Sequence, residues 1–136
     1  MEKLKCKVLV HGLHVLTFVM GNRDLSERLL VFAISVGEVV DRLPRSTFGR
    51  QIAWQLSDSG TSPMANYEEA CAAESRRDFV HKMSICLKEL RESKSWLRLI
   101  KASELLSAIE VEPHIDECDQ LCRIFAKSII TAKSKM

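Results

Sequence analysis

Apolar residues recur along this chain in alternating steps of three and four, the repeat that gathers them on one face of an α-helix. Leu25, Leu29, Phe32, Val36, Val39 and Leu43 form the first stripe, and Val31, Ala33 and Val40 widen it, as suits a helix with two neighbours. Asn22 or Asp24 stands where a cap is needed, and Pro44 ends the helix because the residue before a proline disfavours the α region. Residues 44–47 make a short link, with Ser46 or Thr47 as the next cap. The second stripe runs Ile52, Leu56, Ser59, Pro63, Asn66, Ala70 and Ala73. Its spacing is that of a heptad, but small and polar side chains fill it, which predicts close helix approach. Pro63 predicts a kink, since it removes one donor and crowds the Ser59 carbonyl.

After a break near Ser75, that serine caps a third helix, with Asp78 in the capping-box position. Its stripe is Phe79, Met83, Cys86, Leu90, Ser93, Leu97 and Ile100; on its outer face Asp78 with Lys82 and Lys88 with Glu92 are spaced as i,i+4 ion pairs. The tract 102–111 reads as a frayed end or a short extra helix. Pro113 then opens the last helix as a first-turn residue, with His114 following it in the connection. Ile115, Cys118, Cys122, Phe125, Ile129 and Ala132 are the last seam; acids at its start (Asp116, Glu117, Asp119) and Lys127, Lys133 and Lys135 toward its end suit the helix dipole. The prediction is all-α: an up-down-up-down antiparallel four-helix bundle.

The bundle takes residues 20–136 and leaves 1–19 as an N-terminal extension. MEKLKCK followed by VLVHGLHVLTFVM has the basic head and apolar run of a signal peptide. His11 and His14 interrupt that run, no Ala-x-Ala-like cleavage site follows, and a membrane span takes about 20 apolar residues. An extension that packs as an appendage, or one lying upstream of a start at Met20, is the preferred reading.

Composition narrows the class. With 136 residues, 46% hydrophobic and 28% charged, the chain has the make-up of one globular domain. Five Gly and three Pro are too few for the frequent turns of a sandwich or barrel. A net charge of +2 does not by itself mark a nucleic-acid binder. The five cysteines are odd in number and lack a C-x-x-C pair, and Cys71, Cys86, Cys118 and Cys122 fall on apolar helical faces. That pattern predicts a reducing compartment, the cytoplasm, with no disulfide framework and no membrane partner.

Candidate chemistry is sparse. His11 and His14 are three apart, a helix-face spacing for a metal, but no carboxylate is near them in sequence, and His81 sits on the polar side of the third helix. Cys118 and Cys122 are i,i+4, yet a zinc site needs two further ligands. Glu68, Glu69 and Glu74 lack the Glu-x-x-His pattern of a di-iron bundle. No catalytic residue, metal or cofactor is expected, and the chain reads as a non-enzyme. The third helix is strongly basic: from Arg76 to Lys101 eight cations face three acids, a net of +5. Most simply this is a solvated face neutralised by acids of the second and fourth helices. Read functionally, Arg76, Arg77, Lys88, Arg91, Lys94 and Arg98 are candidate contacts for RNA or an acidic protein. Trp96, Tyr67 and Trp54 are aromatic side chains left over from a four-stripe core, and Trp96 and Tyr67 are candidate subunit contacts.

The stretch from Gln55 onward carries a resemblance. Gln55-Leu56, Ser59-Gly60-Thr61-Ser62, Ala65-Asn66-Tyr67 and Glu69-Ala70 stand in this order, followed by Asp78-Phe79, Lys88-Glu89 and Trp96-Leu97. This pattern resembles the bacterial four-helix bundle protein family that includes proteins encoded by intervening sequences of the 23S ribosomal RNA gene. It covers about residues 20–134 and departs at Pro63-Met64, where the family more often has an aliphatic residue followed by Gly or Pro. The resemblance implies a bundle without established enzymatic activity, self-associating, with homopentameric rings among its assemblies. A related branch implies a second role, as an RNA-binding accessory protein of reverse transcriptases acting through a basic surface. Gln55, Ser59, Gly60, Ser62, Asn66 and Glu69 are then packing residues that mark the family. Asn66, on the seam, is expected to be substantially buried and hydrogen-bonded.

Overall fold

The computed structural model describes residues 24–136, together with the backbone of residues 9–11 and 14–16. Four helices follow one another: α1 (Leu25–Arg42), α2 (Thr47–Cys71), α3 (Arg76–Ala102) and α4 (Ala108–Ser134). Ahead of them Leu9–His11 and His14–Leu16 pair antiparallel, with His11 opposite His14. These two histidines therefore sit on extended backbone, and the helix-face spacing considered for a metal does not arise. The remainder of residues 1–23, with Cys6 and the question of a start at Met20, lies outside the described residues.

Each helix starts on a side-chain cap. Asp24, Ser46, Ser75 and Ser107 accept from the backbone N–H of Ser26, Gly49, Asp78 and Glu110. Such contacts satisfy donors that the first turn cannot pair internally. Of the paired alternatives, Asp24 and Ser46 are the residues used. The start of α4 corrects the expectation from Pro113. Ser107 and Glu110 form a reciprocal capping box, and Pro113 is the sixth residue of the helix rather than a first-turn residue. His114 accordingly lies within α4, not in a connection. The tract 102–111 is neither a frayed end nor a separate helix: it divides into the end of α3, a short link and the first turn of α4.

That link has its own lock. Leu105 N–H donates to the Ile100 carbonyl and Glu104 N–H to that of Lys101, the bond pair of a Schellman motif. The motif demands a left-handed residue, and Glu104 supplies it at φ 58°.

The four seams meet in one core. Leu29, Phe32, Val36, Ile52, Leu56, Met83, Leu90, Leu97, Ile100, Leu121 and Phe125 are all almost wholly inaccessible, so the predicted stripes face inward. Consecutive helices pack side by side and α1 closes against α4. α2 continues unbroken through the buried Pro63. It ends at Cys71, so Ala73 falls in the link to α3. No helix among the described residues is long and apolar enough to cross a membrane.

Candidate functional site

The motif on α2 is a packing device. At Gly60 an added Cβ would lie 2.7 Å from both γ-carbons of Val36 on α1, so only glycine permits this approach. One residue earlier, Ser59 Oγ lies 2.9 Å from Ser93 Oγ of α3, both buried. Ser93 Oγ is also 3.0 Å from the Glu89 carbonyl. With one proton per hydroxyl, Ser93 donating to that carbonyl and accepting from Ser59 satisfies both groups. Asn66 is half-buried, and its Nδ2 donates to the Ser62 carbonyl and to Ser62 Oγ at 3.0 and 2.8 Å. Its partners lie one turn back on its own helix, so Asn66 stiffens α2 rather than joining it to a neighbour. Glu69 reaches Lys82 of α3 at 3.3 Å, and Gln55 is half-buried beside the exposed Trp54.

Two residues with structural roles, Gly49 and Arg28, lie outside the apolar stripes. A Cβ at Gly49 would fall 2.0 Å from the Pro44 carbonyl oxygen, so the start of α2 can fold onto its own link only with glycine there. Arg28 is 5% exposed, and its guanidinium donates to both carboxylate oxygens of Glu117 (2.6 and 3.0 Å) and to Gln120 Oε1 at 3.0 Å. This bidentate clamp ties α1 to α4.

The basic helix divides into two groups. Lys82 pairs with Glu69, Lys94 with Asp119 at 2.7 Å, and Lys101 with Glu112. The Lys94 ammonium holds the Asp119 carboxyl below its usual range, with Arg123 assisting. The expected i,i+4 pairs do not form: Lys82 turns to α2, and Glu92 accepts the Trp96 indole N–H at 3.2 Å. Among the described residues, Arg76, Arg77, Lys88, Arg91 and Arg98 have no carboxylate within 4.0 Å. Arg77, His81, Ser84, Lys88, Arg91, Ser95 and Arg98 follow steps of four and three on the side opposite the seam. This outer stripe contains no acid and extends about 31 Å at 1.5 Å per residue.

The aromatic candidates differ in placement. Tyr67 meets Phe125 of α4 edge-on, ring centroids 5.9 Å apart, and burial raises its hydroxyl pKa. Trp96 is half-buried against the core. Trp54, by contrast, is 78% exposed, as are Ile109 at 88% and Ile130 at 69%. Tyr67 and Trp96 are thus largely engaged within the chain, and among the described residues Trp54 is the most exposed aromatic, ahead of Phe48 at 48%.

Cys71 departs from expectation, being exposed at the end of α2, whereas Cys86, Cys118 and Cys122 are buried. Burial pushes the Cys86 thiol up to about 12. Cys118 Sγ lies 3.1 Å from the Leu90 carbonyl, and the adjacent Cys122 together with burial keeps it protonated. Among the described residues no cluster of three His, Cys, Asp or Glu side chains is arranged to hold a metal. His114, in the second turn of α4, is half-buried, and burial lowers its pKa although Glu38 of α1 opposes the shift.

Comparison with known proteins agrees with this architecture. The sequence model of the 23S rRNA-intervening sequence protein family matches residues 24–127. A crystal structure of a protein of unknown function from the S23 ribosomal protein family of Bacteroides thetaiotaomicron is 28% identical. It superposes with a TM-score of 0.73, covering 78% of this chain and 98% of that one. No curated protein matches the chain.

Proposed function

The chain belongs to the 23S rRNA-intervening sequence protein family, and we propose that it acts without catalysis, as a bundle that associates with copies of itself. The observation that carries this reading is Trp54. A tryptophan that is 78% exposed on a rigid helix is the kind of residue that anchors an interface, since Trp carries more binding energy per residue than most others. Ile34 and Leu30, four apart on α1, add partly exposed apolar surface. The family motif supports the proposal indirectly: close packing at Gly60 and Ser59 makes a stiff unit, and stiff units lose little entropy on association. The test uses a Trp96→Phe variant, in which Trp54 is the sole tryptophan and is excited selectively at the red edge of its absorption. Its emission should shift to the blue as concentration rises through the micromolar range. Emission independent of concentration would refute the proposal.

A second reading rests on the acid-free stripe of α3. Four exposed cations along one helix face would suit phosphates of structured RNA. Reversing Arg77, Lys88, Arg91 and Arg98 together should abolish low-salt RNA binding, and wild-type protein that binds none would end this reading.

A further inference from the structure

At the end of the bundle where α2 stops and α3 begins, an open groove of about 860 Å³ runs along the last turns of α4. Ala70, Phe79 and Ala132 form an apolar floor, and Arg76, Lys127 and Lys135 stand around it with Glu74 as the single acid. Among the described residues, none of the three cations has a carboxylate within 4.0 Å. The volume lies in the range of small-molecule sites, about 300–1,000 Å³, which pair apolar walls with a few charged groups.

We infer that this groove binds an amphipathic anion, an acyl carboxylate whose tail lies on the apolar floor and whose head meets Lys127, Lys135 or Arg76. Charge argues for this occupant over the chain's own start. Residues 1–23 carry Lys3, Lys5, Lys7 and Arg23 against Glu2, the same sign as the rim. A neutral apolar guest would leave the three cations without counter-charge, whereas a carboxylate forms a charge-assisted hydrogen bond with any of them. The reading does not depend on self-association.

Cys71 lines the same groove and is exposed, so its thiol reports occupancy. The full chain is titrated with dodecanoate, and with dodecyltrimethylammonium at the same tail length, both below micelle formation. Calorimetry follows binding, and peptide mass mapping follows Cys71 alkylation by iodoacetamide. Dodecanoate should bind one to one and slow Cys71 alkylation, while the cationic amphiphile should do neither. Lys127→Glu on an exposed turn of α4, combined with Lys135→Glu just past its end, should weaken dodecanoate binding by about tenfold or more and leave helix content unchanged. Three results would overturn the inference: equal binding of the two amphiphiles, dodecanoate binding that leaves Cys71 unprotected, or no dodecanoate binding. A fourth is slow alkylation of Cys71 without ligand, at rates far below those in urea, which would mean that the chain itself or a second copy fills the groove.

Discussion

Replacing Gly60 by alanine adds one methyl group at the closest approach of α1 and α2. The new Cβ would meet both Val36 γ-carbons at 2.7 Å, whereas carbon atoms at optimal separation stand about 3.5–4.0 Å apart. Val36 cannot yield by rotating, because it is fully buried and a valine in a helix has one strongly preferred rotamer. The helices must separate instead, at an overpacking cost of about 1–3 kcal/mol. Alanine returns up to about 1 kcal/mol of that through helix propensity. Net destabilisation should be about 1 kcal/mol, or a fall in Tm of roughly 3–6 °C for a chain of this size. The partner variant exposes the cause. Val36→Ala alone should cost about 2 kcal/mol by removing buried methyl groups. In that background the two 2.7 Å contacts are gone and only a 3.0 Å approach to the Cβ of residue 36 remains, so Gly60→Ala should cost clearly less than in the wild type and come close to neutral. Urea unfolding of the four proteins, followed by circular dichroism, measures the cycle. Stabilisation by Gly60→Ala in both backgrounds would refute the close approach.

Other substitutions reach different parts of the fold. Glu104→Gly places the residue best suited to φ 58° in the α3–α4 link and should stabilise the protein by up to about 1 kcal/mol; a loss in urea midpoint would contradict the Schellman geometry. Arg28→Ala removes the clamp on Glu117. Because the Glu117 side chain is 31% exposed, the expected cost is about 1–3 kcal/mol, below that of a fully buried pair, and a neutral result would show the clamp to be dispensable. His114 has its pKa lowered by burial, so below about pH 6.5 the unfolded chain binds a proton that the folded one resists. Stability should therefore fall as pH drops from 7 toward the folded pKa, and His114→Gln should flatten that slope in urea midpoints. Identical slopes for the two proteins would contradict this account.

Helix positions and the inward faces were readable because periodicity is local. Leu29, Phe32 and Val36 point inward whatever they meet there. Long-range pairing left no such trace. Arg28 and Glu117 are 89 residues apart, and only the packing of α1 on α4 joins them. Lys94 and Asp119 are likewise matched by the α3–α4 register, which draws Lys94 out of the basic set first assigned to a partner. Pro113 misled because proline suits a first turn, although Ser107 and Glu110 already held the Ser-x-x-Glu spacing of a capping box. Gly49 carried no signal at all, since nothing local says that the Pro44 carbonyl folds back onto it. Tyr67 and Trp96 read as spare aromatics only until the bundle closed around them, and that closure left Trp54 outside.

The most direct test of self-association is the mass in solution, measured by light scattering on material eluting from a sizing column at tens of micromolar. Wild-type protein should give a whole-number multiple of 15.4 kDa, and Trp54→Ser should shift it toward the single-chain mass with helix content unchanged. A wild-type mass of 15.4 kDa at that concentration would contradict the proposal.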